Sequence, residues 1–190
     1  MSIFAGLSAA TYTKRGNYIT PGDYRQLRLR ELRFQESRKK GQPPQVIAEF
    51  EVVEFRSTVK MMEDGETTSS GVTVINVEAP VWAPGDVVSD VINFKHLNAL
   101  GNLKMLLEAL VPGLEAEIAT EAAKQSKTID AVWEEQALFF TGPTNPLAGF
   151  LVRCIGVGGR TKEKNLPITY RNYEPFEADE PVAPAAGTAG

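Results

Sequence analysis

The sequence predicts a mainly β fold with inserted helices, in which five strands form a small Greek-key barrel. Three observations support this prediction. Apolar and polar residues alternate with the two-residue period of strands between residues 24 and 52, and the period changes to three and four around residue 100. In the first strand the apolar residues change sides partway along, which is typical of the bent strands that close small barrels.

The first predicted strand covers residues 24–34. Its alternation would bury Leu27 and Leu29 and turn Arg28 and Arg30 to the opposite side, so the strand is expected to have a cationic outer face. After Leu29 the apolar positions move from odd to even residue numbers. A strand accommodates this change by one extra residue, a β-bulge, which is expected next to Arg30.

The next three strands are predicted from turn composition and alternation. A turn at residues 38–44 leads to a second strand at 46–52, which is expected to pair with the first as a hairpin. An acidic surface loop at 61–71 precedes a strand at 72–77. After a turn rich in proline, a further strand is expected at 87–94.

The helical part of the chain follows. Leucine and methionine residues at spacings of three and four predict an amphipathic helix over residues 97–110, which a Pro-Gly pair at 112–113 would end. A second helix is expected at 114–125. Strands return at 150–157 and 168–173, joined by a glycine-rich and basic connection.

One domain is expected at residues 17–173, with its helical insertion around residues 97–135. Residues 1–16 are small and polar and are expected to form a flexible arm. Residues 174–190 are rich in proline, alanine, glycine and acidic residues, a composition that predicts a disordered acidic tail.

The composition of the 190 residues argues against several classes of protein. No apolar run approaches the roughly 20 residues needed to cross a bilayer, and the first residues lack the features of a signal peptide, so a cytoplasmic protein is expected. Cys154 is the single cysteine and His96 the single histidine. One cysteine cannot form an internal disulfide, and this pair cannot supply the usual ligands of a zinc site, so no cofactor or metal is expected.

The net charge of −4 hides a segregation along the chain. Residues 1–60 carry 11 basic and 6 acidic groups, residues 61–135 carry 4 and 13, and residues 136–173 carry 5 and 1. The tail carries four acidic groups and no basic group. If the two positive blocks meet on one side of the fold, they would attract a polyanion although the whole chain is acidic. The open alternative is that these blocks are ordinary solvated surface.

The order of the predicted elements, a strand hairpin, a third strand, helices and a closing hairpin, is that of the oligonucleotide/oligosaccharide-binding (OB) barrel. Over residues 16–175 the chain resembles the OB-fold single-stranded DNA-binding proteins that phages encode in their replication and recombination modules. The resemblance is carried by Pro21-Gly22-Asp23-Tyr24, the basic turn at 38–41, Ala48-Glu49-Phe50-Glu51-Val52 and Gly101-Asn102-Leu103-Lys104-Met105-Leu106-Leu107. It implies single-stranded DNA as the partner, replication or recombination proteins as partners of the acidic tail, and no membrane contact.

Binding of single strands without sequence reading requires cations along a groove and flat rings on which bases stack. The cationic candidates are Arg28, Arg30, Arg33, Arg38, Lys39, Lys40, Arg153, Arg160, Lys162, Lys164 and Arg171. The stacking candidates are Tyr24, Phe34, Trp82, Phe94, Tyr170 and Tyr173. Phe50 and Phe55 are assigned to the interior. For Trp82 and Phe94, stacking and core packing remain equal alternatives, because aromatic rings fill cores as well.

No arrangement of residues predicts catalysis. His96 has no serine or acidic motif beside it, and the run Gly156-Val157-Gly158-Gly159-Arg160 lacks the Lys-Ser or Lys-Thr of a phosphate-binding loop. The sequence therefore favours a protein that binds single-stranded DNA and is not an enzyme. The alternative is a structural or assembly component of a virion, such as a head-decoration or tail protein, because small β-barrels serve there as well.

Overall fold

The computed structural model describes residues 17–36, 41, 43–56, 81–160 and 167–177, and in this part of the chain the mainly β fold is confirmed. The elements of the described residues are β1 (Gly22–Gln35), β2 (Gln45–Arg56), β3 (Val87–Asn93), α1 (Ala99–Leu110), α2 (Leu114–Gln125), α3 (Ile129–Phe140), β4 (Leu151–Arg160) and β5 (Pro167–Pro175). The expected flexible arm, the acidic loop, the strand at 72–77 and the end of the tail lie outside the described residues.

The five strands of the described chain form one antiparallel sheet in the order β3-β2-β1-β4-β5. The central strand, β1, pairs with β2 along nearly its whole length and with β4 over its first half. The three helices lie between β3 and β4 in the sequence, and α1 packs on β5, β3 and β4. The apolar inner side of the sheet and the buried side of α1 form the core.

The predicted bulge in β1 is confirmed. Leu29 and Glu31 pair with neighbouring positions of β2, so Arg30 is the extra residue. In a regular strand, residues three positions apart face opposite sides of the sheet. Because of the bulge, Leu29 and Leu32 are both fully buried in the core.

The aromatic residues of the hairpin divide between core and surface. Phe50 is fully buried, as predicted, whereas Phe55 is only half-buried and packs its ring on Tyr24 at a centroid distance of 4.8 Å. Phe34 shares the predicted inner side of β1 but is 43 % exposed. It lies at the end of the strand, where it borders an open apolar groove between α1 and α3.

A short segment before β1 crosses the sheet at Gly156. The backbone N–H of Ile19 donates to the Ser89 carbonyl at 3.1 Å, and the Ser89 N–H donates to the Asn17 carbonyl at 2.7 Å. Residues 17–19 therefore run along the free edge of β3, in parallel. The chain then passes over β4, where a Cβ on Gly156 would lie 2.4 Å from the carbonyl oxygen of Thr20. A glycine at this position lets the two backbones approach.

Both predicted helices are confirmed. The apolar residues of α1 face the core, and α2 begins after Gly113, whose φ of 86° requires a left-handed conformation that suits glycine. The third helix, α3, begins inside the predicted helical insertion at 97–135 and extends five residues beyond it. It was not predicted as a separate helix, because only Val132 and Phe140 among its 12 residues are buried and its apolar pattern is weak. A local signal exists at its start, where the Thr128 hydroxyl accepts the Ala131 N–H at 3.2 Å. None of the described helices is long and apolar enough to cross a membrane.

The last strand, β5, extends to Pro175, two residues beyond the expected end of the domain. Glu174 lies opposite Arg153 of β4, and their side chains form an ion pair of 3.2 Å. Glu174 therefore belongs to the folded sheet, which corrects its assignment to the acidic tail.

Candidate nucleic-acid interface

The outer face of β1 and β2 carries the arginines predicted to form a cationic face. Arg28, Arg30 and Arg33 lie on the outer side and are about half exposed, as expected. Each of them, however, has a carboxylate beside it. The ion pairs are Arg28–Glu51 at 3.1 Å, Arg30–Glu49 at 3.8 Å and Arg33–Glu31 at 3.2 Å. The outer face is therefore charge-balanced rather than cationic, which corrects the prediction.

The signal for these ion pairs was present in the sequence. Glu49 and Glu51 alternate with the buried residues of β2, which places both on the outer side of the hairpin. The register then sets Glu51 directly opposite Arg28. Exposed pairs of this kind contribute about 0–1 kcal/mol each, so a phosphate group can replace the carboxylate at small cost.

Arg153 lies on the outer side of β4 between two carboxylates. Its guanidinium is 3.2 Å from Asp23 and 3.2 Å from Glu174. Arg25 also contacts Asp23, at 3.1 Å. Arg25, Arg153 and Glu174, together with Glu54, line a hollow of about 400 Å³. Arg153 therefore belongs to a cluster of mixed charge, in which carboxylates already occupy the guanidinium that was predicted to contact phosphate.

Two predicted site residues of β5 point into the molecule instead of toward solvent. Tyr173 lies opposite Cys154 and Arg171 opposite Gly156, so both face the inner side of the sheet. The Tyr173 hydroxyl donates to Asp90 at 2.8 Å, and the guanidinium of Arg171 lies 3.0 Å from the other Asp90 oxygen. Tyr173 is only 6 % exposed, so its ring cannot stack on a base. The stacking prediction for Tyr173 is wrong for this reason.

Asp90 is the centre of this buried cluster. It is 1 % exposed, and burial raises the pKa of its carboxyl group, while the charge of Arg171 and the hydrogen bond from Tyr173 oppose that shift. Burial also raises the pKa of the Tyr173 hydroxyl well above its usual value, and the nearby Asp90 charge adds to the effect. Arg171 therefore compensates a buried charge and is not available as a free cation for phosphate.

The other predicted rings differ in accessibility. Tyr24 is fully buried with its hydroxyl bonded to Thr20, so it cannot stack on a base. Trp82 and Phe94 are half-buried and pack against the core, and the indole N–H of Trp82 donates to the Thr20 hydroxyl at 3.0 Å. Tyr170 is 41 % exposed, because it lies on the outer side of β5. Tyr170 and Phe34 are therefore the most accessible of the candidate rings.

The remaining cationic candidates belong to the two strand connections. Arg38, Lys39, Lys40, Lys162 and Lys164 lie outside the described residues, and Arg160 is described only as a backbone position at the end of β4. Their contacts therefore stay predictions.

The ends of these two basic connections lie near the same end of β3. Asn93, the last residue of β3, lies opposite Gln45, and Gln45 lies opposite Gln35 across the β1–β2 hairpin. On the other side, Asn93 shares a groove with Ile168, which follows Pro167 at the end of the β4–β5 connection. The fold therefore places the end of the β1–β2 connection next to Asn93, which lines this groove, and the end of the β4–β5 connection next to Ile168, which also lines it.

The groove lies between β3, the beginning of α1 and β5, and has a volume of about 630 Å³. Its lining includes the polar side chains of Asn93, His96, Asn98, Asn102 and Tyr170, with the Asp90–Arg171 pair below them. No pattern in the sequence marks the asparagines, because they belong to separate elements that only the fold brings together.

Comparison with known proteins assigns no family. The chain matches no protein-family model, no curated protein and no solved structure. Within the described residues, no cluster of three or more histidine, cysteine, aspartate or glutamate side chains could hold a metal ion. Cys154 is buried, and this burial raises the pKa of its thiol.

Proposed function

We propose that this protein is a barrel of the OB type that binds single-stranded DNA in phage replication and recombination. The observation that carries the proposal is the strand order β3-β2-β1-β4-β5 with helices inserted between β3 and β4. OB-folds are partly open five-stranded Greek-key barrels that bind oligonucleotides through the face of strands 2 and 3 and the connections β1–β2 and β4–β5. In this chain both of these connections are rich in basic residues.

The contacts between β3 and β5 support a partly open barrel. Within the described residues no backbone ladder joins the two strands. Instead, Tyr173 and Arg171 of β5 both contact Asp90 of β3, and the Tyr173 ring lies 6.0 Å from the ring of Phe50. These side chains bring the two edges of the sheet together and leave a groove beside them.

The outer faces of β3, β2 and β1 offer a path for the strand. Val91 lies opposite Ile47, and Ile47 lies opposite Arg33, so one row across the sheet joins two half-buried apolar side chains to a cation. Bases would pack on the apolar part of the row, and phosphates would exchange with the carboxylates beside the arginines. The contribution of the outer face to affinity is therefore modest, and the basic connections supply most of the attraction for phosphate.

A mobility-shift assay tests this proposal. Labelled oligo-dT and a duplex of the same length are incubated with the protein at low salt. We expect a shift of the single strand at protein concentrations that leave the duplex free. A protein that shifts neither, or that prefers the duplex, would overturn the proposal.

A structural role in a virion is the second candidate, and one observation favours it. Phe34, Leu100 and Leu138 are exposed around an apolar groove of about 580 Å³, and Trp133 lines the same groove. Exposed apolar surface of this kind is typical of protein contacts. Purified phage particles distinguish the two candidates, because a particle component would be abundant in them, whereas a replication protein would be absent.

A further inference from the structure

We infer that the groove between β3, α1 and β5 is a pocket for one unstacked nucleobase, so that the protein distinguishes the base at one position of the bound strand. This inference rests on the proposed function. It goes beyond that function because a strand held only by its phosphates and by general stacking would leave no position distinguished from the others.

The size and position of the groove suit a single nucleotide. Its volume of about 630 Å³ lies in the usual range of ligand sites, which is about 300–1,000 Å³. It lies at the end of β3, near strand ends from which the two basic connections depart. A strand attracted by these connections would therefore pass over the mouth of the groove.

The floor of the groove is polar but carries no net charge. Asp90 accepts a hydrogen bond from the Tyr173 hydroxyl and is paired with Arg171, so the buried carboxylate and the partly exposed guanidinium compensate each other. The floor therefore offers a phosphate no net charge and does not repel a neutral base, which suits the base part of a nucleotide.

The wall on the side of α1 presents carboxamides. Asn98 occupies the N-cap position of α1, yet its side chain makes no capping bond to the helix. Asn102 lies one turn further along and lines the same groove. The Asn93 side-chain oxygen accepts the Lys95 backbone N–H at 2.9 Å, which leaves its amide hydrogens as donors. Carboxamides of this kind pair with base edges, because they offer a donor and an acceptor in one plane.

Two tyrosine rings also line the groove, one beside β3 and one on β5. Tyr170 is 41 % exposed and Tyr18 is 61 % exposed, and both line the groove. An unstacked base needs such a flat surface to replace the neighbours that it loses in the strand. An oligosaccharide would use the same kinds of groups. The exposed Lys95, which lies between the groove residues Asn93 and His96 in the chain, favours an anionic strand over a neutral sugar.

An abasic scan tests the pocket. The shortest oligo-dT that keeps full affinity is made with one abasic site at each position in turn, and binding is measured by fluorescence anisotropy. We expect one position at which the abasic site lowers affinity about 5- to 100-fold more than at the others. In Tyr170→Leu this extra loss should disappear. The control Phe139→Leu removes an exposed ring of α3 outside the groove and should keep it.

The variant Asn98→Ala tests the reading of the base edge. Because Asn98 makes no capping bond, this change should leave the thermal midpoint of unfolding nearly unchanged. At the position found by the scan, dT is replaced by dC and dA in turn. The wild type should distinguish the three bases at that position, and Asn98→Ala should bind them with more similar affinities.

The outcomes separate the pocket from the proposed function. If wild-type protein binds oligo-dT but the abasic scan is flat, the pocket is wrong and single-strand binding stands. If no oligonucleotide binds, deoxynucleoside monophosphates and maltohexaose are titrated and followed by NMR. Binding of a monophosphate that Tyr170→Leu abolishes would support the pocket alone. Binding of maltohexaose, or of neither compound, would overturn it.

Discussion

Arg28 of β1 and Glu51 of β2 lie directly opposite each other, and their side chains form an ion pair of 3.1 Å on the outer face of the sheet. Arg30 and Glu49 repeat the arrangement beside the bulge at 3.8 Å. A row that the sequence of β1 alone predicts to be cationic is therefore neutralised by the neighbouring strand. For a polyanion, the carboxylates of β2 compete with its phosphates for the same guanidinium groups.

Neutralising these carboxylates should strengthen binding of single strands. In the double variant Glu49→Gln and Glu51→Gln, the arginines keep their charge, and no carboxylate of β2 competes with phosphate for them. The affinity for oligo-dT at low salt should therefore rise about 3- to 10-fold. The reverse change, Arg28→Ala with Arg30→Ala, leaves the carboxylates unbalanced and should weaken binding. Neither change should alter the free energy of unfolding by more than about 1 kcal/mol, because the pairs are exposed.

The matched control for the charge variants is Glu134→Gln with Glu135→Gln on α3. It changes the net charge of the protein by the same amount, away from the outer face of β1 and β2. If this control raises the affinity as much as Glu49→Gln with Glu51→Gln does, the effect is one of net charge, and the assignment of the outer face is wrong.

Replacement of glycine by alanine is expected to have opposite effects on stability at Gly156, where two backbones cross closely, and at Gly101, which lies in open space. Gly156→Ala places a methyl group 2.4 Å from the Thr20 carbonyl oxygen, so the segment at 17–21 must move, at a cost of about 1–3 kcal/mol of unfolding free energy. Gly101→Ala adds a methyl group where no atom lies within 4 Å, inside α1. It should stabilise the fold by about 0.5–1 kcal/mol, because alanine is the better helix former. Urea unfolding of both variants measures the difference, and destabilisation of equal size would contradict the crossing.

The Tyr173–Asp90 hydrogen bond predicts a pH dependence of stability in the alkaline range. The pKa of Tyr173 is raised well above 10.0 in the folded protein, mainly by burial, whereas in the unfolded chain it has its ordinary value. The unfolded chain therefore loses this proton first, and the stability that the buried phenol contributes is present below pH about 10 and falls as the pH rises above it. Tyr24, whose pKa is also raised by burial, adds to the same trend.

Urea unfolding between pH 8 and 11 measures this dependence. Tyr173→Phe should lower the free energy of unfolding at pH 8 by about 1–3 kcal/mol, because Asp90 loses a donor in a buried position. Its further loss of stability toward pH 11 should be smaller than that of the wild type. Tyr170→Phe, which changes an exposed tyrosine of the same strand, should follow the wild type. If the free energy of unfolding of Tyr173→Phe falls with pH as steeply as that of the wild type, the buried phenol does not govern the loss of stability at alkaline pH.

The sequence predicted the inner side of the sheet well, because the two-residue period of a strand reports burial directly. Leu27, Leu29 and the bulge at Arg30 follow from the pattern of one strand. Periodicity also places Glu49 and Glu51 on the outer side, but their pairing with Arg28 and Arg30 depends on the register between two strands. Periodicity alone could have corrected the prediction that Tyr170 and Tyr173 both stack on bases. The two residues are three apart in one strand, so their side chains must face opposite sides of the sheet.

The groove could not be predicted from local patterns. Asn93, Asn98 and Tyr170 are polar residues at the end of a strand, at the start of a helix and on another strand. No spacing rule connects them, because the chain between them folds into two further helices and a strand. The fold places them around one cavity through the packing of α1 on β5 and β3 and through the contact of β5 with β3 at Asp90.

A salt titration of oligo-dT binding tests the central claim most directly. The association constant of the full chain is measured by fluorescence anisotropy from low to physiological salt. Single-strand binding through the two basic connections predicts that log K falls linearly with log salt, with a slope of about −2 or steeper, which corresponds to about three phosphate contacts. Absence of binding at low salt, or an affinity that does not change with salt, would contradict the account.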